Sequence, residues 1–122
     1  MALIKDKSYR IDLAFGYDLN TVFGAVLQAA SPAGLSVVNY DTVNGIINLS
    51  KGMSLFTWGE SITVMMGVIP DGRTGLTIIS SPNLGTEFAA RSQNRKNAEA
   101  LADQLCILLP GQPPAPRDSS YR

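Results

Sequence analysis

Few groups in this chain could do chemistry, and their spacing does not favour it. Histidine is absent and cysteine occurs once, at Cys106. A histidine-assisted nucleophile, a Cys/His zinc site and an intramolecular disulfide are therefore ruled out within the chain. Cys106 sits in ADQLCILLP, an apolar context in which a small buried thiol is expected. Ser80-Ser81 has no base nearby in sequence. Glu60 and Glu87 become an acid–base pair only if folding happens to bring them together. Gly67, Gly72 and Gly75 fall in a strand, a turn and a strand, with no helix N-terminus following to hold phosphate. No catalytic, cofactor or metal residue is assigned on this basis, and the chain is expected not to be an enzyme.

Binding chemistry is better represented. In RSQNRKN, Arg91, Arg95 and Lys96 gather at the expected start of a helix, where the macrodipole disfavours cations and Arg91 and Arg95 repel at i, i+4. Either Glu87 and Glu99 offset them, or an anion or acidic partner does; a plain solvated helix end is the simpler account. Trp58 has two readings as well. A tryptophan just before a strand plugs one end of a core and bonds its indole N–H locally, or it stands exposed as an aromatic anchor.

The totals narrow the field. Ten basic and ten acidic residues leave no net charge, so the cationic excess that displaces counterions from nucleic acid is missing. No nucleic-acid partner is expected. A neutral chain also associates more readily. The N-terminal MALIKDKSYRID meets a charge at Lys5, well short of a signal-peptide apolar core, and no apolar run approaches the ~20 residues of a membrane span. A cytoplasmic location is the resulting expectation.

These residues must be positioned by a small number of elements. Tyr9, Ile11, Leu13 and Phe15 alternate with polar or small residues, which predicts a strand with one buried face. Asp18 is placed to cap a helix whose stripe is Leu19, Val22, Phe23, Val26, Leu27 and Ala30. LSVVNYD and IINLSKG flank Asn44-Gly45, a hairpin pattern. Glu60–Ile69 and Arg73–Ser80 flank Pro70-Asp71-Gly72, a second hairpin. A second helix, from about Ser92 to Leu108, carries Ala98, Leu101, Ala102, Leu105 and Leu109 on one side. PGQPPAPRDSSYR has no periodicity and predicts a disordered Pro/Ser-rich tail over 110–122 after a single domain over 1–109. Consecutive strands with two amphipathic helices make α+β: a two-layer sandwich, an antiparallel five-stranded sheet with both helices on one face, in the order β-α-β-β-β-β-α.

Two stretches carry a family resemblance. TWGESITV and GRTGLTIISSPNLGTEFAARSQNRKN resemble a group of small bacterial proteins of unknown function. That group shows a Ser/Thr-Trp-Gly-Glu motif, matched by Thr57, Trp58, Gly59 and Glu60. A Thr-containing strand ending in Ser-x-Pro follows, matched by Thr77, Ser80 and Pro82, and then a Lys/Arg-Asn-rich helix start at Asn94–Asn97. Phe88–Arg91 departs from the pattern. More loosely, the order of elements is similar to helix-grip domains, among them BamC-like, START-type and Bet v 1-type domains. That resemblance implies a ligand held between a curved sheet and a C-terminal helix. Ala98 and Ala102 argue against a large cavity there, because small residues let the helix approach the sheet closely.

The segment ITVMMGVI is apolar on both faces of its strand, which asks what covers the second face. Ile62, Val64, Met66 and Val68 fall on one side and Thr63, Met65, Gly67 and Ile69 on the other; Ile79 joins the second group from the partner strand. The leading expectation is a non-catalytic binding or protein-interaction module, or a weak homodimer. Its surface is Trp58, Met65, Ile69 and Ile79, with Arg91, Arg95 and Lys96 as an anion or acidic-partner contact. The alternative is a small hydrophobic-ligand carrier whose pocket is lined by Phe56, Trp58, Leu101 and Leu105.

Overall fold

The computed structural model describes residues 9–52, 60–82, 90–110 and 120–121, without the side chains of 60, 82, 90–94 and 120–121. Its elements run β1 (Tyr9–Phe15), α1 (Leu19–Ala30), β2 (Ser36–Asp41), β3 (Ile46–Lys51), β4 (Glu60–Val68), β5 (Thr74–Pro82), α2 (Ala90–Leu108) and β6 (Ser120–Tyr121). The five expected strands form one antiparallel sheet in the order β2-β3-β4-β5-β1, with the short β6 beyond β1. Strands β2 to β5 follow one another as a meander. Helix α1 carries the chain from β1 to the far edge, and β1 then pairs with the last long strand. This is a helix-grip-like α+β fold.

Alternation decides which residues meet the helices. Tyr9, Ile11, Leu13 and Phe15 of β1, Ile47 and Leu49 of β3, Ile62, Val64 and Met66 of β4, and Leu76 and Ile78 of β5 are all buried. They pack under Val22, Phe23, Val26 and Ala30 of α1 and under Ala98, Leu101, Ala102, Leu105 and Leu109 around α2. Helix α2 lies on β1 and β5, whereas α1 reaches β2, β3 and β4 and also touches α2. Among the described residues, no helix is long and apolar enough to cross a membrane.

Several details depart from expectation. Cys106 is exposed, not buried. With Leu105 and Leu109 aimed at the core, a step of about 100° per residue turns position 106 to the open side. Val68 is 67% exposed because it ends β4 beside the turn, opposite Thr74. Asp18 stands at the N-cap of α1, yet its carboxylate accepts from the Thr21 hydroxyl and caps no backbone N–H. Two residues of the stretch expected to be a disordered tail, Ser120 and Tyr121, pair with Arg10 and Tyr9. The open edge of β1 supplies the backbone donors and acceptors for that pairing; 111–119 and 122 lie outside the described residues.

The two hairpin turns are built as their sequences require. Gly45 and Gly72 both have positive φ, at 69° and 92°. Gly45 is doubly constrained, since a Cβ there would stand 2.4 Å from the Met66 carbonyl oxygen. The Asp41 carboxylate accepts from the Asn44 side-chain amide and from the backbone N–H of Val43 and Asn44. Those bonds, the Asn44 side chain foremost, hold its pKa below the usual carboxylate range. On β2, the register shifts between Val37 and Asn39, leaving Val38 as an extra residue in a β-bulge.

Ile69 answers part of the question raised by the doubly apolar β4. Its backbone is tied by Ile69 N–H to the Arg73 carbonyl and by Gly72 N–H to its own carbonyl, both at 2.9 Å. Its side chain then folds over Gly75, where a Cβ would come within 2.6 Å of the Ile69 Cγ2. The second face is covered there from within the chain, by an isoleucine resting on a glycine.

Two measurements check this account. Gly75→Ala is expected to lose about 1 kcal/mol or more in urea unfolding through overpacking against Ile69. In an Ile69→Ala background the same change should cost nothing, which a double-mutant cycle reads directly. For Asp41, a lowered folded-state pKa means a stabilising contribution that is present above the ordinary aspartate range and lost as pH falls through the depressed value. Thermal melts at decreasing pH should therefore show a shallower decline for Asp41→Ala than for the parent protein.

Candidate functional site

Among the described residues, the helix side of the sheet is closely packed where α2 crosses β1 and β5. Ala98, Leu101, Ala102 and Leu105 of α2 each have 0% exposure, as do Ile11 and Ile78 of the strands beneath. Leu101 and Leu105, expected as lining of a ligand pocket, are core residues here. Phe56 and Trp58, the other two members of that lining, lie outside the described residues.

Among the described residues the opposite side of the sheet carries no helix, and its side chains can be mapped row by row from the strand register. One row runs Asn39, Asn48, Thr63, Ile79, Arg10 across β2, β3, β4, β5 and β1. Asn48 donates to Asn39 at 2.8 Å, and Thr63 donates to the Asn48 amide oxygen at 3.2 Å. The next row is Ile46, Met65, Thr77, Asp12. Thr77 donates to Asp12 at 2.7 Å, and Arg10 Nε approaches the same carboxylate at 3.2 Å. The row after that is Gly67, Gly75, Ala14, three residues with little or no side chain.

Gly67 and Gly75 of that row border a furrow of about 390 Å³ on the helix-free face. Met65, Thr77, Asp12 and Gly67 line it, together with Ile69 where that side chain rests on Gly75. Met65 is 40% exposed at the rim. Three of the residues singled out from sequence, Met65, Ile69 and Ile79, thus share this face, with Ile79 one row beyond the furrow and half-buried. Trp58 lies outside the described residues. The furrow itself, and Asp12 within it, were not anticipated. Part of the signal was available, since Gly67 and Gly75 become neighbours once the β4–β5 hairpin register is drawn.

The basic cluster stands elsewhere, on α2. Arg95 and Lys96 are exposed, and the side chain of Arg91 is not among those described. Arg95 pairs with Glu99 at 3.5 Å, one helical turn on. Glu99 also accepts from the hydroxyl of Tyr9, a residue buried on β1, at 2.9 Å. An exposed ion pair of this type contributes little, about 0–1 kcal/mol. The Tyr9 bond ties α2 to the sheet.

The chain matches no known protein family and no curated protein. Among solved structures it is similar to TTHA0849 from Thermus thermophilus, at 15% identity and a TM-score of 0.58, over 84% of this chain and 96% of that one. A second similar structure is that of Ara h 8.0201, at 6% identity and a TM-score of 0.46, over 84% and 97%. The likeness to TTHA0849 is one of fold.

Tyr9→Phe removes the hydroxyl that reaches Glu99 and leaves the ring in place. The expected cost is about 1 kcal/mol in chemical denaturation.

Proposed function

We propose that the protein is a non-catalytic binding module that recognises a protein partner, or a second copy of itself, on the helix-free face of its sheet. One observation carries this reading: among the described residues, Ala98, Leu101, Ala102 and Leu105 are fully buried under α2, while a furrow of about 390 Å³ opens on the other side of the sheet. A module of this kind needs no titrating side chain. It needs a surface whose backbone is accessible and whose rim can adapt, and Met65 supplies an unbranched, polarizable side chain for that. The absence of net charge leaves no long-range repulsion between copies. The small-bacterial-protein resemblance adds no function to this reading.

Native mass spectrometry on protein purified without refolding tests it. The expected result is the bare mass of the chain, with a concentration-dependent dimer that Met65→Ser removes while the melting temperature stays nearly unchanged. Met65 is exposed enough that its loss costs little, within about 0.5 kcal/mol. A co-purifying apolar adduct would instead support the hydrophobic-ligand carrier, with its pocket between sheet and helix.

A further inference from the structure

Asn44-Gly45 is the one Asn-Gly dipeptide in the chain, and it lies in the turn between β2 and β3. An asparagine in this position can modify itself, because the next backbone nitrogen is able to attack its side-chain amide carbon. Glycine, with no side chain, leaves that nitrogen least shielded. The fold cannot avoid the pairing by changing the second residue. Gly45 has a φ of 69°, and a Cβ there would stand 2.4 Å from the Met66 carbonyl oxygen. Whatever protects this turn must act on Asn44.

Asn44 is exposed, and among the described residues no hydrogen bond takes up the Gly45 N–H. The nitrogen that would attack is therefore open to water. Asn44 itself is held twice by Asp41. Its side-chain amide donates to one carboxylate oxygen at 2.8 Å, and its backbone N–H donates to the other at 3.1 Å. Ring closure needs the Asn44 side chain to rotate onto the Gly45 nitrogen and its amide nitrogen to depart. Both movements break the bond to Asp41.

We infer that Asn44 is a site of spontaneous deamidation, with Asp41 as the brake that sets its rate. The Gly45 nitrogen bonds to the Asn44 Cγ and gives up its proton, the Cγ–Nδ2 bond breaks, and ammonia leaves a succinimide ring. Water then adds to either ring carbonyl and opens it to aspartate or isoaspartate at position 44; no oxidant or reductant takes part. Either product ends the side-chain donation to Asp41 and sets a second carboxylate beside the first, where like charges repel. Isoaspartate also lengthens the backbone by one methylene inside the loop that the Asp41–Ile46 pair closes. The reaction thus loosens the β2–β3 hairpin and gives a neutral chain one negative charge. It needs no partner and goes beyond the binding reading above.

The test incubates the full chain and its Asp41→Asn variant in warm neutral buffer, with peptide mapping by a fragmentation that tells aspartate from isoaspartate. Asp41→Asn keeps an oxygen for the backbone N–H groups of Val43 and Asn44 and replaces the oxygen that takes the Asn44 amide. Asn44 should convert before any other asparagine, and roughly fivefold faster in Asp41→Asn, the equivalent of one hydrogen bond. Asp41→Ser, whose hydroxyl also accepts from backbone N–H, decides the matter if Asp41→Asn does not fold. Conversion elsewhere ahead of Asn44 would overturn the site, and equal rates in parent and variant would overturn the role of Asp41. Asn44→Asp makes one product directly. It should speed amide hydrogen exchange in β2 and β3 and leave β1 and β5 as they are; unchanged exchange in β2 and β3 would overturn the loosening of the hairpin.

Discussion

The approach of α2 to the sheet is the contact on which the rest of the molecule depends. Ala98 and Ala102 carry the smallest side chains that can still bury apolar surface, and both are fully buried. With Leu101 and Leu105 beside them, they bring the helix down onto β1 and β5, and all four side chains are shut off from solvent. A helix-grip fold can hold its terminal helix away from the sheet and enclose a cavity. Here alanine at two successive turns takes the other course. A hydrogen bond from Tyr9 to Glu99 then ties the helix to β1.

With one side of the sheet filled, the character of the other follows from its strands alone. A bare sheet face in water needs polar side chains, and most of this one has them: the Asn39–Asn48–Thr63 chain of amides and hydroxyl, and the Arg10–Asp12–Thr77 group. The apolar residues that interrupt this pattern sit along one band across β3, β4 and β5. Ile69 lowers the exposure of that band by lying on Gly75, and Met65 remains at its edge. The face is therefore polar across most of its area and apolar around one depression.

Much of this was legible from residue order. Period-two alternation in YRIDLAF and period-3.6 spacing from Leu19 to Ala30 and from Ala98 to Leu109 are strong local signals, and each points to the side that is buried. Asn44-Gly45 and Pro70-Asp71-Gly72 placed both hairpins, because positive φ at a turn leaves few alternatives to glycine. Cys106 was misplaced, since an apolar neighbourhood in sequence says nothing about the side of a helix on which one residue emerges. The furrow was missed for a similar reason. It is lined by residues 12, 65, 67, 69, 75 and 77, which become neighbours only after the β4–β5 and β1–β5 registers are set.

The bulge at Val38 has a consequence for the company this protein keeps. Among the described strands β2 is the outer edge of the sheet, and Val37, Val38 and Tyr40 on it are exposed, with no lysine or proline among Ser36–Asp41. A straight strand of that composition would template the addition of another chain, copy upon copy. The extra residue breaks the spacing of the outward N–H and C=O groups, so an incoming strand finds an interrupted ladder. The opposite edge is partly taken by Ser120 and Tyr121. For a chain with no net charge to keep its copies apart, the guards against edge-to-edge pairing among the described residues are one irregular residue at one edge and two borrowed ones at the other.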